Sequence, residues 1–228
     1  MVAKKGEDDY VWIKYPQHHN WFNKLWLSEK LGYKCGPAGV DIPEDGLYVI
    51  RPIYNLSGMG VGAYVQKMQK GDHTTVQPGY FWQEHFYGPH YSTNYKWVWD
   101  RDKIHGKWKP ISCWEGINFP INWTKFTEWK RVSVFPKLPS EFDELYDVGI
   151  INVESIETRD PKGNTYSNVI EVHLRPSPDP EYDHLVPVWK STYPDFIKHY
   201  EIQGYKFVEA YEDADKHLED PRLGFLVK

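Results

Sequence analysis

The chain has 228 residues with 27 basic and 32 acidic side chains, a net charge of −5 that disfavours a phosphate-backbone binder or a membrane-surface protein. Its two cysteines, Cys35 and Cys113, lie far apart with no CxxC partner, which argues against a disulfide framework, and no apolar run approaches the ~18 residues of a membrane span. The expectation is a soluble protein of a reducing, cytoplasmic compartment, with nucleic acid and membrane both unlikely partners.

Aromatic residues make up 17% of the chain, with 11 Trp and 17 Tyr. Rings favour strands and fill cores, so a β-rich core is the first reading; rings that stack on sugars are the alternative. Residues 1–9 read as frayed, and Tyr10 to Tyr15 alternates enough for a short strand. Asn20 reads as the N-cap of a helix through Leu31, with Trp21, Lys24 and Leu25 at helical spacing and Gly32 as its stop. His18 and His19 are adjacent, rarely face one ligand together, and read as a solvated turn.

After a turn-rich stretch, Leu47 to Ile53 reads as a strand interrupted by Arg51. Gly58, Gly60 and Gly62 follow it, in a loop whose backbone N–H groups can converge on an anion or simply flex in a hairpin. Ala63 to Met68 leaves that loop as a second strand. Tyr80 to Tyr87 is an aromatic strand holding Gln83, Glu84 and Phe86, Gly88-Pro89 breaks it, and His90 to Trp99 resumes. A further strand lies around 111–115. Trp123, Phe126 and Trp129 are spaced three apart, which predicts a short amphipathic helix, and Pro139 opens another through Tyr146 with acidic residues in its first turn. Ile150 to Ile156 carries Glu154, a turn follows at 160–164, and Val169 to Arg175 completes a hairpin. A strand near 205–208 and a helix near 212–218 are the last expectations.

The second hairpin strand is the most informative stretch. Its Glu171, His173 and Arg175 share one face while Val172 and Leu174 enter the other. A carboxylate, an imidazole and a guanidinium in a row are costly to bury unless they meet a metal or an anion; a wet edge strand is the plain alternative.

A basic strand residue, a glycine loop, a strand with a Gln-Glu pair, an acidic strand and a closing Glu-x-His-x-Arg strand, in that order over roughly residues 47–176, resemble the ATP-grasp superfamily. The resemblance implies an α+β, β-rich fold with two antiparallel sheet and helix halves around a nucleotide cleft. It divides the chain into a short N-terminal segment with one helix (1–46) and an ATP-grasp-like domain (47–228), whose halves are 47–100, with the glycine loop and hinge, and 101–228, with the metal-site hairpin. It implies that Arg51 touches the α-phosphate, that Gly58, Gly60 and Gly62 form a flap over the β- and γ-phosphates, and that Gln83, Glu84 and Phe86 form the hinge, with Glu84 on the ribose. Glu154 (or Glu157) becomes the first metal-binding carboxylate, Glu171 the bridging one and His173 the third ligand, while Arg175 holds the transferred phosphate. The cofactors implied are ATP and Mg²⁺ or Mn²⁺. The activity implied is an ATP-dependent ligase that activates a small-molecule or peptide carboxylate as an acyl-phosphate for attack by an amine.

This sequence departs from the family pattern in three places. His173 stands where the family has Asn, Arg51 where it has Lys, and only about 45 residues precede Leu47. The short N-terminal stretch leads to the expectation of a partner chain supplying the missing domain. Two alternatives remain: a non-catalytic subunit on the same scaffold, and a glycan-binding β module using Tyr80, Trp82, Tyr87, Tyr91, Tyr95, Trp97 and Trp99.

Overall fold

The computed structural model describes residues 8–54, 60, 62–73, 75–102, 104–119, 122–209 and 220–228. It is a β-rich α+β fold built on two antiparallel sheets. β1 (Cys35–Pro37), β2 (Gly46–Pro52), β3 (Tyr64–Met68) and β4 (Tyr80–Glu84) form a small sheet in the order β1-β4-β2-β3. β5 (His90–Trp99), β6 (Gly106–Phe119), β7 (Asn122–Arg131), β8 (Ile150–Arg159), β9 (Thr165–His173), β10 (His184–Trp189), β11 (Lys206–Glu209) and β12 (Arg222–Val227) form a large sheet in the order β11-β12-β10-β7-β6-β5-β8-β9. The sheets part between Glu84 and His90, earlier than the residue-100 division expected, and β1 joins the small sheet from within the segment expected to stand apart.

The helices are α1 (Asp8–Lys14), α2 (Lys24–Lys30) and α3 (Asp195–Glu201). α1 replaces the expected strand at Tyr10 to Tyr15. Val11 and Tyr15, one helical turn apart, are both buried, and Asp8 and Asp9 occupy the first turn, where a helix favours negative charge. The frayed terminus expected through residue 9 thus gives way to structure at Asp8; residues 1–7 lie outside those described. α2 begins later than expected. Its cap is Asn23, whose side chain accepts from the Trp26 amide, and Pro16–Phe22 ahead of it is 3-10. Gly32, in the left-handed region at φ 75°, lies just past the helix end as expected.

α1, the 3-10 stretch and α2 pack Val11, Trp21 and Leu27 against Ile151, Val153, Val172 and Leu174 of the β8–β9 hairpin. That hairpin formed as its sequence predicts, with Val153 opposite Val172 and Glu154 opposite Glu171. β7 is where the pattern misled. Phe126 and Trp129 belong to a strand, not a helix, and the pairing skips Thr127 between Glu128↔Ile117 and Phe126↔Asn118. The extra residue of a bulge lets side chains three apart share a face, which a helix does by its own period. The helix expected from Pro139 is a 3-10 segment, Ser140–Leu145. β10, α3 and β12 were not foreseen, and the helix expected near 212–218 lies outside the described residues. Among the described residues no helix is long and apolar enough to cross a membrane.

Candidate functional site

A cavity of about 380 Å³ opens between the sheets. One face of the large sheet forms its floor: Glu171 and His173 of β9, Asn152 and Glu154 of β8, His90 and Ser92 of β5, and Gly116 of β6. Val49 and Arg51 of β2, Val65 of β3, and Gln83 and Glu84 of β4 line it from the small sheet. Of the residues singled out in the sequence, Arg51, Gly60, Gln83, Glu84, Phe86, Glu154, Glu171, His173 and Arg175 all line this cavity. Gly58 lies outside the described residues. Gly62 is not on the wall: an added Cβ would meet the Tyr80 hydroxyl at 2.6 Å, so this glycine itself packs closely against β4.

The carboxylates form the acidic centre. Glu154 and Glu171 are register partners, so their side chains leave adjacent strands on one face about 5 Å apart. Two like charges so placed repel unless positive charge or a hydrogen-bonding ring intervenes, and three elements bring such groups. Lys24, the first residue of α2, puts Nζ 2.8 Å from Glu171 Oε1. His90 Nε2 lies 3.2 Å from Glu154 Oε2. His173 Nε2 lies 3.9 Å from Glu171 Oε1. Burial alone would raise the Glu154 pKa, but the His90 hydrogen bond and the charges of His90, His173 and Lys24 hold it well below the usual carboxylate range.

Asp8 anchors the strand behind this centre. It is 2% exposed, and its carboxylate spans two neighbours, with Oδ2 2.8 Å from His173 Nδ1 and Oδ1 accepting from Arg175 Nε at 3.0 Å. Burial pushes the Asp8 pKa up, yet the charges and hydrogen bonds of His173 and Arg175 outweigh it and bring the value to about 2. Burial likewise pushes His173 down, and the charge and hydrogen bond of Asp8, with the charge of Glu171, carry it up to about 9. With its pKa raised to about 9, His173 carries a proton near neutral pH, and a charged imidazole offers a metal no lone pair until that proton leaves. Among the described residues no three His, Cys, Asp or Glu side chains are spaced to hold a metal ion.

Arg51 supplies the opposite signal. It is 8% exposed, its Nη2 donates to the neutral Gln83 Oε1 at 2.7 Å, and its Nε is buried with no hydrogen-bond partner. Among the described residues no carboxylate comes within ion-pair distance of it. Its other support is the Phe81 ring, 5.2 Å from Cζ, and the more distant charges of Glu171 and Glu154, so an anion in direct contact would still lower the cost of burying it. Gln83 is fixed in turn by Ser28 of α2, whose hydroxyl donates to the same Oε1 at 2.8 Å. α2 therefore touches both sheets: Ser28 and the Lys24 amide, which donates to Ile53 O at 2.9 Å, reach the small one, and the Lys24 ammonium reaches the large one. At the end of β4, the Glu84 carboxylate accepts from the Lys34 amide, and Phe86 packs edge-on against Tyr33.

Arg51 thus leaves an unsatisfied donor on the same cavity that the Glu154–Glu171 pair lines. Sequence reasoning missed Asp8, Lys24 and His90. Only Lys24 left a signal, as a lysine set among Trp21 and Leu25 on what reads as an apolar helix face.

No protein-family model matches the chain, and no curated protein matches it by sequence. In solved structures the chain is similar to a protein from Archaeoglobus fulgidus assigned to the ATP-grasp superfamily, at TM-score 0.40 and 16% identity over 69% of this chain and 46% of that one. It is also similar to an L-amino acid ligase from Bacillus licheniformis, at TM-score 0.38 and 14% identity over 68% of this chain and 41% of that one. A third similarity is to the ATP-grasp ligase PsnB complexed with its minimal precursor, at TM-score 0.36 and 13% identity over 71% of this chain and 53% of that one. The chain spans about half the length of the solved structures that it matches.

Proposed function

We propose that this protein binds ATP in the cavity between its sheets and uses it to activate a carboxylate for attack by an amine. The observation that carries the reading is Arg51: a buried cation with an unpartnered Nε, on the same cavity as a pair of adjacent carboxylates. In this reading Arg51 and Gly60 receive the phosphates. Phe86 and Val49 offer apolar surface to the base, with Glu84 toward the ribose. Arg175, held by Asp8, presents its guanidinium to the transferred phosphate, where a planar fork matches the geometry of the developing charge. A bound Mg²⁺ or Mn²⁺ would neutralise phosphate oxygens, and Glu154 and Glu171 are the residues that would hold it. His173 would join them only by giving up its proton. Lys24, which pairs with Glu171 at 2.8 Å, would then be free to turn its ammonium toward the phosphates.

The test is calorimetric titration of the full chain with ATP in the presence of Mg²⁺ or Mn²⁺, alongside Glu171→Ala. The parent should bind in a metal-dependent manner and the variant should lose that binding; equal affinity in both would overturn the reading. A second reading, a nucleotide-binding subunit without turnover, is favoured by the ion pairs that already engage Glu171 and Glu154. It predicts ATP binding with no ADP released under either metal, with candidate partner chains present. Of the rings that a glycan module would use, Trp82, Tyr91 and Tyr95 are buried, which weakens that reading, while Tyr87 and Trp99 are exposed. A cytoplasmic setting and a partner chain completing the site belong to the same proposal.

A further inference from the structure

Gln83 and Arg51 stand on adjacent strands of the small sheet. Val49 pairs with Gln83 and Arg51 pairs with Phe81, so all four side chains share one face, and Gln83 is the diagonal neighbour of Arg51. Gln83 is 2% exposed, and its Oε1 accepts from two donors, Arg51 Nη2 at 2.7 Å and Ser28 Oγ at 2.8 Å. A guanidinium carries no acceptor, so the amide must turn its oxygen, not its NH₂, toward Arg51. Ser28 is buried on α2, where its Oγ also lies 2.8 Å from Lys24 O, and its neighbour Leu27 packs in the core under the β8–β9 hairpin. The seat of Arg51 on the small sheet is thus fixed from an element packed on the large one.

The residue type at 83 decides what becomes of the charge. A glutamate has the same length and would hold the guanidinium as firmly, but its carboxylate would cancel the charge. The amide holds Arg51 and leaves its charge for what enters the cavity. We propose that Gln83 and Ser28 are positioning residues for Arg51, a neutral relay from α2 that orients the guanidinium and keeps it selective for a polyanion. The relay needs only an anion on Arg51; that this anion is the phosphate chain of a nucleotide rests on the reading above.

The experiment is calorimetric titration of the full chain with inorganic triphosphate and pyrophosphate, without metal, for the parent, Gln83→Glu and Ser28→Ala, with each fold checked by circular dichroism. The parent should bind triphosphate. Gln83→Glu should bind it at least ~10-fold more weakly, the loss expected for one charge-assisted hydrogen bond, because the new carboxylate competes for the guanidinium. The loss should be smaller for pyrophosphate, which carries less charge, whereas a merely structural fault would weaken both anions alike. Ser28→Ala should lose ~3-fold, as for one neutral hydrogen bond, and decides the question if Gln83→Glu does not fold. Triphosphate affinity unchanged in the folded variants, or equal losses for the two anions in Gln83→Glu, overturns the relay. The expected pattern in a chain that binds no ATP analogue overturns the nucleotide reading and leaves the relay standing. An ATP analogue bound as tightly by Gln83→Glu as by the parent removes the relay alone, and a parent that binds neither ligand overturns both.

Discussion

Asp8 shows how one side chain far from the sequence motif sets the state of two residues within it. Truncating it leaves a buried imidazolium and guanidinium without their shared anion, so Asp8→Ala should lower unfolding free energy by about 3–5 kcal/mol in urea titration. A loss under about 1 kcal/mol would show that solvent replaces the carboxylate. The same contacts give a pH signature. His173 rises from its ordinary 6.5 to about 9 in the fold, so its stabilisation is complete below 6.5 and is lost as pH climbs to about 9. Asp8 falls from 3.8 to about 2, so its contribution is complete above 3.8 and is lost as pH drops toward 2. The parent's urea midpoint should therefore decline between pH 6.5 and 9, and that decline should flatten in His173→Gln. Parallel slopes in the two proteins would assign the decline to other groups.

At the scale of elements, close backbone approach is the feature that tolerates least change. Gly88 sits in the connection from the small sheet to β5, and an added Cβ would stand 1.6 Å from the Glu157 carbonyl oxygen on β8. Gly88→Ala must push that connection off the sheet. Overpacking of this kind costs about 3 kcal/mol, a fall of roughly 6–12 °C in Tm for a chain of this size. An unchanged Tm would mean that the connection moves freely.

The hairpin β8–β9 was legible because alternation over several residues has one explanation, and the same holds for β2, β3 and β5. β7 was not, because a bulge at Thr127 reproduces a helix-like spacing of rings. α1 was not, because a helix of seven residues carries too few turns to show its period. The site was legible in part for the same reason. Arg51, Glu154 and Glu171 stand on strands and can be placed by parity, with Arg175 two residues past the end of β9, whereas Lys24 reaches the cavity, and Asp8 the residues behind it, through tertiary packing that no local pattern encodes.

For the molecule as a whole, the cavity is an interface between two sheets that α2 bridges through Lys24, Ser28 and Gln83. A ligand that binds across it should stabilise both sheets together. With ATP analogue at 100 times its Kd the chain should gain about 2.7 kcal/mol, seen as slowed amide exchange in β2 and β9 alike. Slowing confined to one sheet would place the ligand on that sheet alone.

The central claim is that a triphosphate completes the half-satisfied Arg51 guanidinium. The most direct measurement is the Kd of a non-hydrolysable ATP analogue with Mg²⁺ for the parent and for Arg51→Met, with the fold of each checked by circular dichroism. The account predicts measurable binding in the parent and a loss of at least ~10-fold in the variant. Equal affinity in the two, or a folded parent that does not bind the analogue, would contradict it.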